Sequence, residues 1–221
     1  MPIKTIIIKD KKMKKAIKDI ISMFLPYFKE FKKFCLTKQQ SSYWEFIKFK
    51  IGLEKRYWPA HKNCLIANYQ KIYVGINCLI GRPGNYLQGA GGLFFGNYVR
   101  LAPNVGILTS NHDLYDQRLS VKKEVIIGDY CWIGMNSVVL PGVTLGTRTI
   151  VAAGSVVTKS FPDGFCVIGG TPAKIIKYLD PNKFVPWKDK EEFYGFIPKE
   201  EFEKSSKYKN FRECKINCVK S

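Results

Sequence analysis

"VIIGDYCWIGMNSVVLPGVTLGTRTIVAAGSVVTKS", residues 125–160, repeats itself every six positions. Counting from Ile127, aliphatic side chains recur at Ile133, Val139, Leu145, Val151 and Val157. The position after each is Gly128, Gly134, Leu140, Gly146, Ala152 and Thr158, mostly small. Four residues beyond the first five marks stand Cys131, Ser137, Val143, Thr149 and Ser155, again compact. A helix would repeat near 3.6 residues and a single strand near 2, so neither accounts for six. The period predicts a parallel β-helix whose coils of about 18 residues each contain three short strands. The aliphatic residue points into the prism, and the small one allows a tight corner. An ordinary β-sandwich would not hold a six-residue phase through its turns.

Upstream the beat is looser, at Val74-Gly75, Ile80-Gly81, Phe95-Gly96 and Leu101-Ala102. It reaches Ile107 in phase and resumes at Ile127. That gap of twenty is not a multiple of six, so residues 108–124 must leave the prism as a protruding loop. The loop carries His112, one of two histidines in 221 residues. The phase also slips by three between Ile80 and Phe95, which predicts a bulge or loop at "GRPGNYLQGAGG", residues 81–92. His61, just before the first coil, reads as structural.

The prism is therefore expected over 61–180, with an N-terminal extension (1–60) and a C-terminal tail (181–221). The formal charge is +18, and +10 of it lies in residues 1–60, where 15 Lys/Arg face 5 Asp/Glu. Ile17, Ile20, Ile21, Phe24, Leu25 and Phe28 form one stripe of a basic amphipathic helix, with Pro26 a kink or a boundary. A second helix is expected at about 42–55. Two uses of these helices stay open: capping the first coil, or lying on an anionic membrane surface. The longest mostly apolar run, "IISMFLPYF", is too short to span a bilayer. The start of the chain shows no secretory h-region, and seven unpaired-looking cysteines suit a reducing compartment. The expected location is cytoplasmic, with the inner face of the membrane as an option.

These motifs resemble the hexapeptide-repeat acyltransferases, which fold as a left-handed parallel β-helix. "APNVGILTSNHD" (102–113), the 125–160 repeat and "GGTPAKIIK" (169–177) are similar to the galactoside, maltose and serine O-acetyltransferase branch. The resemblance covers about residues 62–178 and is strongest from 95 onward. It implies a homotrimer with active sites between adjacent prisms, acetyl-CoA as co-substrate, no metal, and His112 as catalytic base. A histidine suits that task, because a neutral imidazole accepts a proton near neutral pH and can return it. Asp113 or a loop carbonyl would hold the imidazole tautomer, and Asn111 flanks it. For the donor, the resemblance implies Trp132 and Gly134 beside the pantetheine, and Ala153 offering backbone groups. It places Thr158, Lys159, Pro172, Lys174 and Lys177 near adenine and phosphates, where lysines act as point charges. Met135 stands where relatives often have serine. Arg82, Asn85, Tyr86 and Gln88 are candidates to face an acceptor.

The expected activity is O-acetylation of a sugar hydroxyl in surface polysaccharide or lipopolysaccharide biosynthesis. Rival acceptors are an amino group on a nucleotide-linked sugar, serine, or a xenobiotic hydroxyl. A zinc hydratase on the same fold would need three histidine ligands, and two histidines cannot supply them. No nucleic-acid partner is expected. A non-catalytic scaffold would leave the histidine loop and the "GGTPAKIIK" string without a purpose.

Overall fold

The computed structural model describes residues 11–37, 39 and 41–205. At its centre each six-residue step crosses one face and rounds one corner, and three steps close a triangular coil. The first face holds β2 (Ile72–Val74), β4 (Leu93–Phe95), β9 (Val125–Ile127) and β12 (Thr144–Leu145). The second holds β5 (Arg100–Leu101), β10 (Trp132–Ile133), β13 (Ile150–Val151) and β15 (Cys166–Gly170). The third holds β1 (Leu65–Ala67), β3 (Tyr86–Gln88), β6 (Gly106–Ile107), β11 (Val138–Val139) and β14 (Val156–Val157). Neighbouring strands on each face are parallel and stack like on like, as where Ile133 lies between Leu101 and Val151. The architecture is a left-handed parallel β-helix.

The period is legible in the packing. Ile107, Ile127, Ile133, Val139, Leu145 and Val157 are fully buried, and each such burial contributes on the order of 1.5–3 kcal/mol. Compact polar residues turn inward at the corners and tie one coil to the next. The Cys131 thiol donates to the Gly146 carbonyl at 3.1 Å, and the Ser137 hydroxyl donates to the Ala152 carbonyl at 3.0 Å. Corner glycines answer to close stacking: a Cβ on Gly128 would lie 2.7 Å from the Gly146 carbonyl carbon.

The slip at 81–92 is neither a bulge nor a loop. Seven residues separate the inward Ile80 and Leu87, and eight separate Leu87 and Phe95. The surplus is shared by two widened corners, and β3 between them keeps its register with β1 and β6.

α1 (Lys11–Cys35) runs through Pro26 instead of ending there. α2 (Tyr43–Lys50) is shorter than expected and starts at a capping box, with Ser42 and Glu45 each accepting the other's backbone N–H. Of the expected stripe, Ile20, Leu25 and Phe28 are exposed, and the side chains of Ile17, Ile21 and Phe24 lie outside the described residues. Packing begins at Phe28, whose ring meets Tyr43 edge-on at 5.6 Å, and deepens a turn later, where Phe31 meets Tyr43 and Phe46 at 5.2 and 5.5 Å between ring centroids. Residues 1–10 and 206–221 of the two extensions are likewise outside the description.

After β15 the chain reverses into the antiparallel β16 (Ala173–Tyr178). The tail then runs back along the prism, from Phe184 beside Phe165 in the last coil to Tyr194 bridged to Ile76 in the first. There β17 (Phe193–Tyr194), β18 (Ile197–Pro198) and α3 (Lys199–Lys204) meet the N-terminal helices. Phe34, Phe46, Phe193 and Phe196 form a second core. The N-terminal helices and residues 193–204 thus build one joint cover over the first coils.

Candidate active site

The 108–124 loop leaves the prism where the third face turns toward the first. It is a hairpin, β7 (Ser110–His112) paired antiparallel with β8 (Ser120–Lys122). Its root is clamped. The Gln88 side-chain oxygen accepts from the backbone N–H groups of Thr109 and Ser110 at 3.0 and 2.9 Å. The buried Thr109 hydroxyl donates back to the Gln88 carbonyl at 2.7 Å. Gln88, expected to face an acceptor, instead positions the hairpin.

His112 is exposed near the tip, and its Nδ1 lies 2.6 Å from the Gln117 carbonyl oxygen. A carbonyl only accepts, so Nδ1 carries the proton, and in the neutral ring Nε2 is left with a free lone pair. Of the two orienters expected, the loop carbonyl is the one in contact. Asp113 serves the loop instead: its Oδ1 accepts from the Tyr115 and Asp116 N–H groups. Those bonds hold its carboxyl below its ordinary value. Asp116 in turn pairs with Arg118 at 2.8 Å. Asn111 is exposed beside His112. Leu114 and Tyr115 stand 90% and 99% exposed at the tip, an apolar surface that none of the described residues covers.

Asn85 needs correction. It is wholly buried, donating to the Ile80 carbonyl and accepting from the Val105 N–H, so it braces a corner and cannot face an acceptor. Arg82 and Tyr86 are half-buried.

The donor candidates fall into three groups. Trp132, 52% exposed on β10, stands with Gly134 and the exposed Ala153 at the corner between second and third faces. Gly134 is required there, since a Cβ would come within 2.6 Å of the Ala153 nitrogen. Thr158 and Lys159 are exposed at the next corner, the one from which the His112 hairpin springs. Lys174 and Lys177, exposed beyond Pro172, lie three apart on β16, which in a regular strand would aim them to opposite sides. A register shift makes Ile176 an extra residue, so Lys174 pairs with Gly169 and Lys177 with Val167. Both therefore share the outer side of the strand. One prism keeps Trp132, Gly134 and Ala153 apart from Thr158 and Lys159, on either side of the third face, while β16 extends the second.

Two of the described thiols are poor nucleophiles. Burial pushes Cys131 up to about 12 and Cys64 up to about 11, so neither supplies thiolate near neutral pH. Among the described residues no group of three His, Cys, Asp or Glu could hold a metal ion.

Residues 124–159 match the family described as bacterial transferase hexapeptide (six repeats). The galactoside O-acetyltransferase of Lactococcus lactis is 38% identical over 96 residues, 42% of this chain and 46% of that protein. A hexapeptide-repeat acetyltransferase of Vibrio cholerae, solved with acetyl coenzyme A, superposes with a TM-score of 0.55 at 27% identity. That match covers 67% of this chain and 83% of the other. A maltose O-acetyltransferase of Clostridium difficile gives the same score and identity over 71% and 89%. The chain spans about half the length of the curated relatives it matches. The resemblance to the hexapeptide-repeat acyltransferases, in their galactoside and maltose O-acetyltransferase branch, stands on these matches.

Proposed function

We propose that this chain is an acetyl-CoA-dependent O-acetyltransferase acting on a sugar hydroxyl, with His112 as general base. The observation that carries the proposal is the Gln117 carbonyl on Nδ1, which leaves Nε2 free on an exposed hairpin. Acetyl-CoA would supply the activated acetyl carbon and a thiolate leaving group. Nε2 takes the proton from the acceptor hydroxyl as its oxygen attacks, and returns it to the departing sulfur, giving an acetyl ester and CoA thiol. The exposed indole of Trp132 and the paired lysines of β16 fit a long anionic donor.

The division of the donor residues between two corners supports closure of the site between copies, and a cyclic trimer would bring one prism's corner against its neighbour's hairpin. Solved and curated relatives that act on galactosides and maltose support a saccharide acceptor, and surface polysaccharide assembly is the setting we assign. No described helix is long and apolar enough to cross a membrane. The exposed Ile20, Leu25 and Phe28, with Lys29, Lys32 and Lys33 beside them, support peripheral contact of a cytoplasmic enzyme with an anionic leaflet.

His112→Ala is expected to lower turnover by about 10²-fold or more while donor binding persists. The product's acetyl group should come off in mild alkali, as an ester does. Turnover near that of the parent chain overturns the base, and an alkali-stable product moves the acceptor to an amine.

A further inference from the structure

Between the α1–α2 connection and the first coil lies a cleft of about 730 Å³, within the range of small-molecule sites. One wall carries Gln39, Ser42 and Glu45, and the other carries Ala60, His61 and Arg82. Its most informative residue is Gln39. The side chain is only 5% exposed, it lines the cleft, and among the described residues neither its Oε1 nor its Nε2 has a hydrogen-bond partner. A buried carboxamide deprived of both bonds is destabilising, and native proteins leave few such groups without a purpose. The Gln39 N–H reaches the Thr37 hydroxyl, which is bonded to the end of α1 at the Phe34 carbonyl. Glu45, on the same wall, holds the Ser41 hydroxyl and the Ser42 N–H on its Oε2 and makes no hydrogen bond to the Gln39 carboxamide. Across the cleft, His61 accepts the Asn63 N–H on Nδ1, which leaves a ring N–H at Nε2.

We propose that this cleft binds a pyranose unit, with Gln39 as the residue that reads it. Two vicinal hydroxyls present one donor and one acceptor side by side, matching the carbonyl and amino ends of a carboxamide. Ala60, Leu79 and Pro83 offer an apolar wall for the ring's C–H face. The proposal rests on the sugar-acceptor reading above and deepens it: the N-terminal extension, through the connection between its helices, selects the sugar.

The test is ligand-observed NMR titration of the full chain, without acetyl-CoA, using methyl β-galactopyranoside and maltose as probes. At least one sugar should bind the parent chain and His112→Ala alike. Gln39→Met, which removes the unpaired carboxamide at similar shape, should weaken that binding about tenfold or more without lowering the melting temperature. Ala60→Leu, which fills the cleft from the opposite wall, should do the same. Binding unchanged in both variants, or no binding of either sugar, overturns the cleft. Acetylation assays on the same proteins separate the two readings. Acetyl transfer to a sugar that is indifferent to both variants removes the cleft and keeps the enzyme. Cleft-dependent binding without acetyl transfer to any sugar keeps the cleft and removes the sugar-acceptor reading.

Discussion

At the corner between the first and second faces, the left-handed backbone positions are Asn77, Tyr98, Tyr130, Arg148 and Phe165, with φ from 42° to 59°. At the corner between the second and third faces the equivalent positions are Gly84, Asn104, Asn136 and Gly154, with φ from 58° to 73°. The backbone solution is the same, yet the second corner uses only residues that adopt it readily, whereas after Asn77 the first corner uses Tyr98, Tyr130, Arg148 and Phe165, which do not. Bulky side chains at the first corner are tolerated because the tail lies across them. Tyr98 and Tyr130 stack at 5.1 Å, Trp187 packs edge-on against Tyr130 at 4.8 Å, and Phe184 meets Tyr130 and Phe165. Arg148 lies over the Phe184 ring at 5.5 Å. The covered corner spends backbone strain on a docking ladder for the tail. The bare corner stays small and open, beside Trp132 and Ala153.

Both corners begin with a glycine packed on the next coil, so the difference between them should vanish there. Gly128→Ala and Gly134→Ala each force a Cβ against backbone and should each cost about 3 kcal/mol in chemical denaturation, the upper end for overpacking. A mild effect at one alone would mean that the corners differ in stacking as well as in cover.

The next largest effect belongs to the covered corner. Trp187→Ala should cost about 2 kcal/mol, below the value for a fully buried tryptophan because Trp187 is only half-buried. The sharper measurement is a double-mutant cycle. Tyr130→Asn loses ring contacts in the intact chain but relieves the left-handed strain, so its cost should shrink or reverse in the Trp187→Ala background. Additive effects would separate the ladder from the tail.

At the bare corner Gly154→Ala meets nothing within 4 Å at φ +70°. It should cost only the conformational penalty, about 1 kcal/mol.

The smallest effect is electrostatic. Burial alone would raise the Glu192 carboxyl, but hydrogen bonds from Lys199 and Tyr98, at 2.6 and 2.7 Å, outweigh it and leave the group below its ordinary value of 4.5. A lowered folded value means that this anchor of the tail contributes above pH 4.5 and is lost as pH falls through the lower folded value. Partial exposure to solvent keeps the contribution modest. Glu192→Gln should therefore be less stable than the parent chain near neutrality and indistinguishable from it in strong acid. A stability difference independent of pH would assign the anchor to shape and not to charge.

The extent to which the chain could be read from sequence follows the same division. The prism, the protruding loop and its histidine were legible, because a period of six and a broken phase are local properties. The shape of the 81–92 slip was not, since a surplus of three residues can be shared between corners in several ways. Gln88 and Asn85 sit three apart in one polar, glycine-rich stretch, and nothing there tells that one clamps a hairpin while the other is sealed inside. The common side of Lys174 and Lys177 depends on an extra residue at Ile176, which appears only once β16 is paired. Gln39 carried no signal, being one amide in a lysine-rich extension.

By itself, the sequence determined the coil, its inward aliphatic columns and its small corners, because each is specified within six residues and repeated, and the place of the protruding loop, because it breaks that repeat. Only the tertiary structure decided what covers the prism. Asn77 bonds to Glu191, 114 positions away, and Phe34 meets Phe193 and Phe196 across most of the chain. Such contacts have no period, and their free energy depends on surfaces that exist only after the coils have stacked. The same holds for the cleft at Gln39, whose two walls come from a helix connection and from the first coil, and for the orientation of His112, set by one carbonyl five residues on.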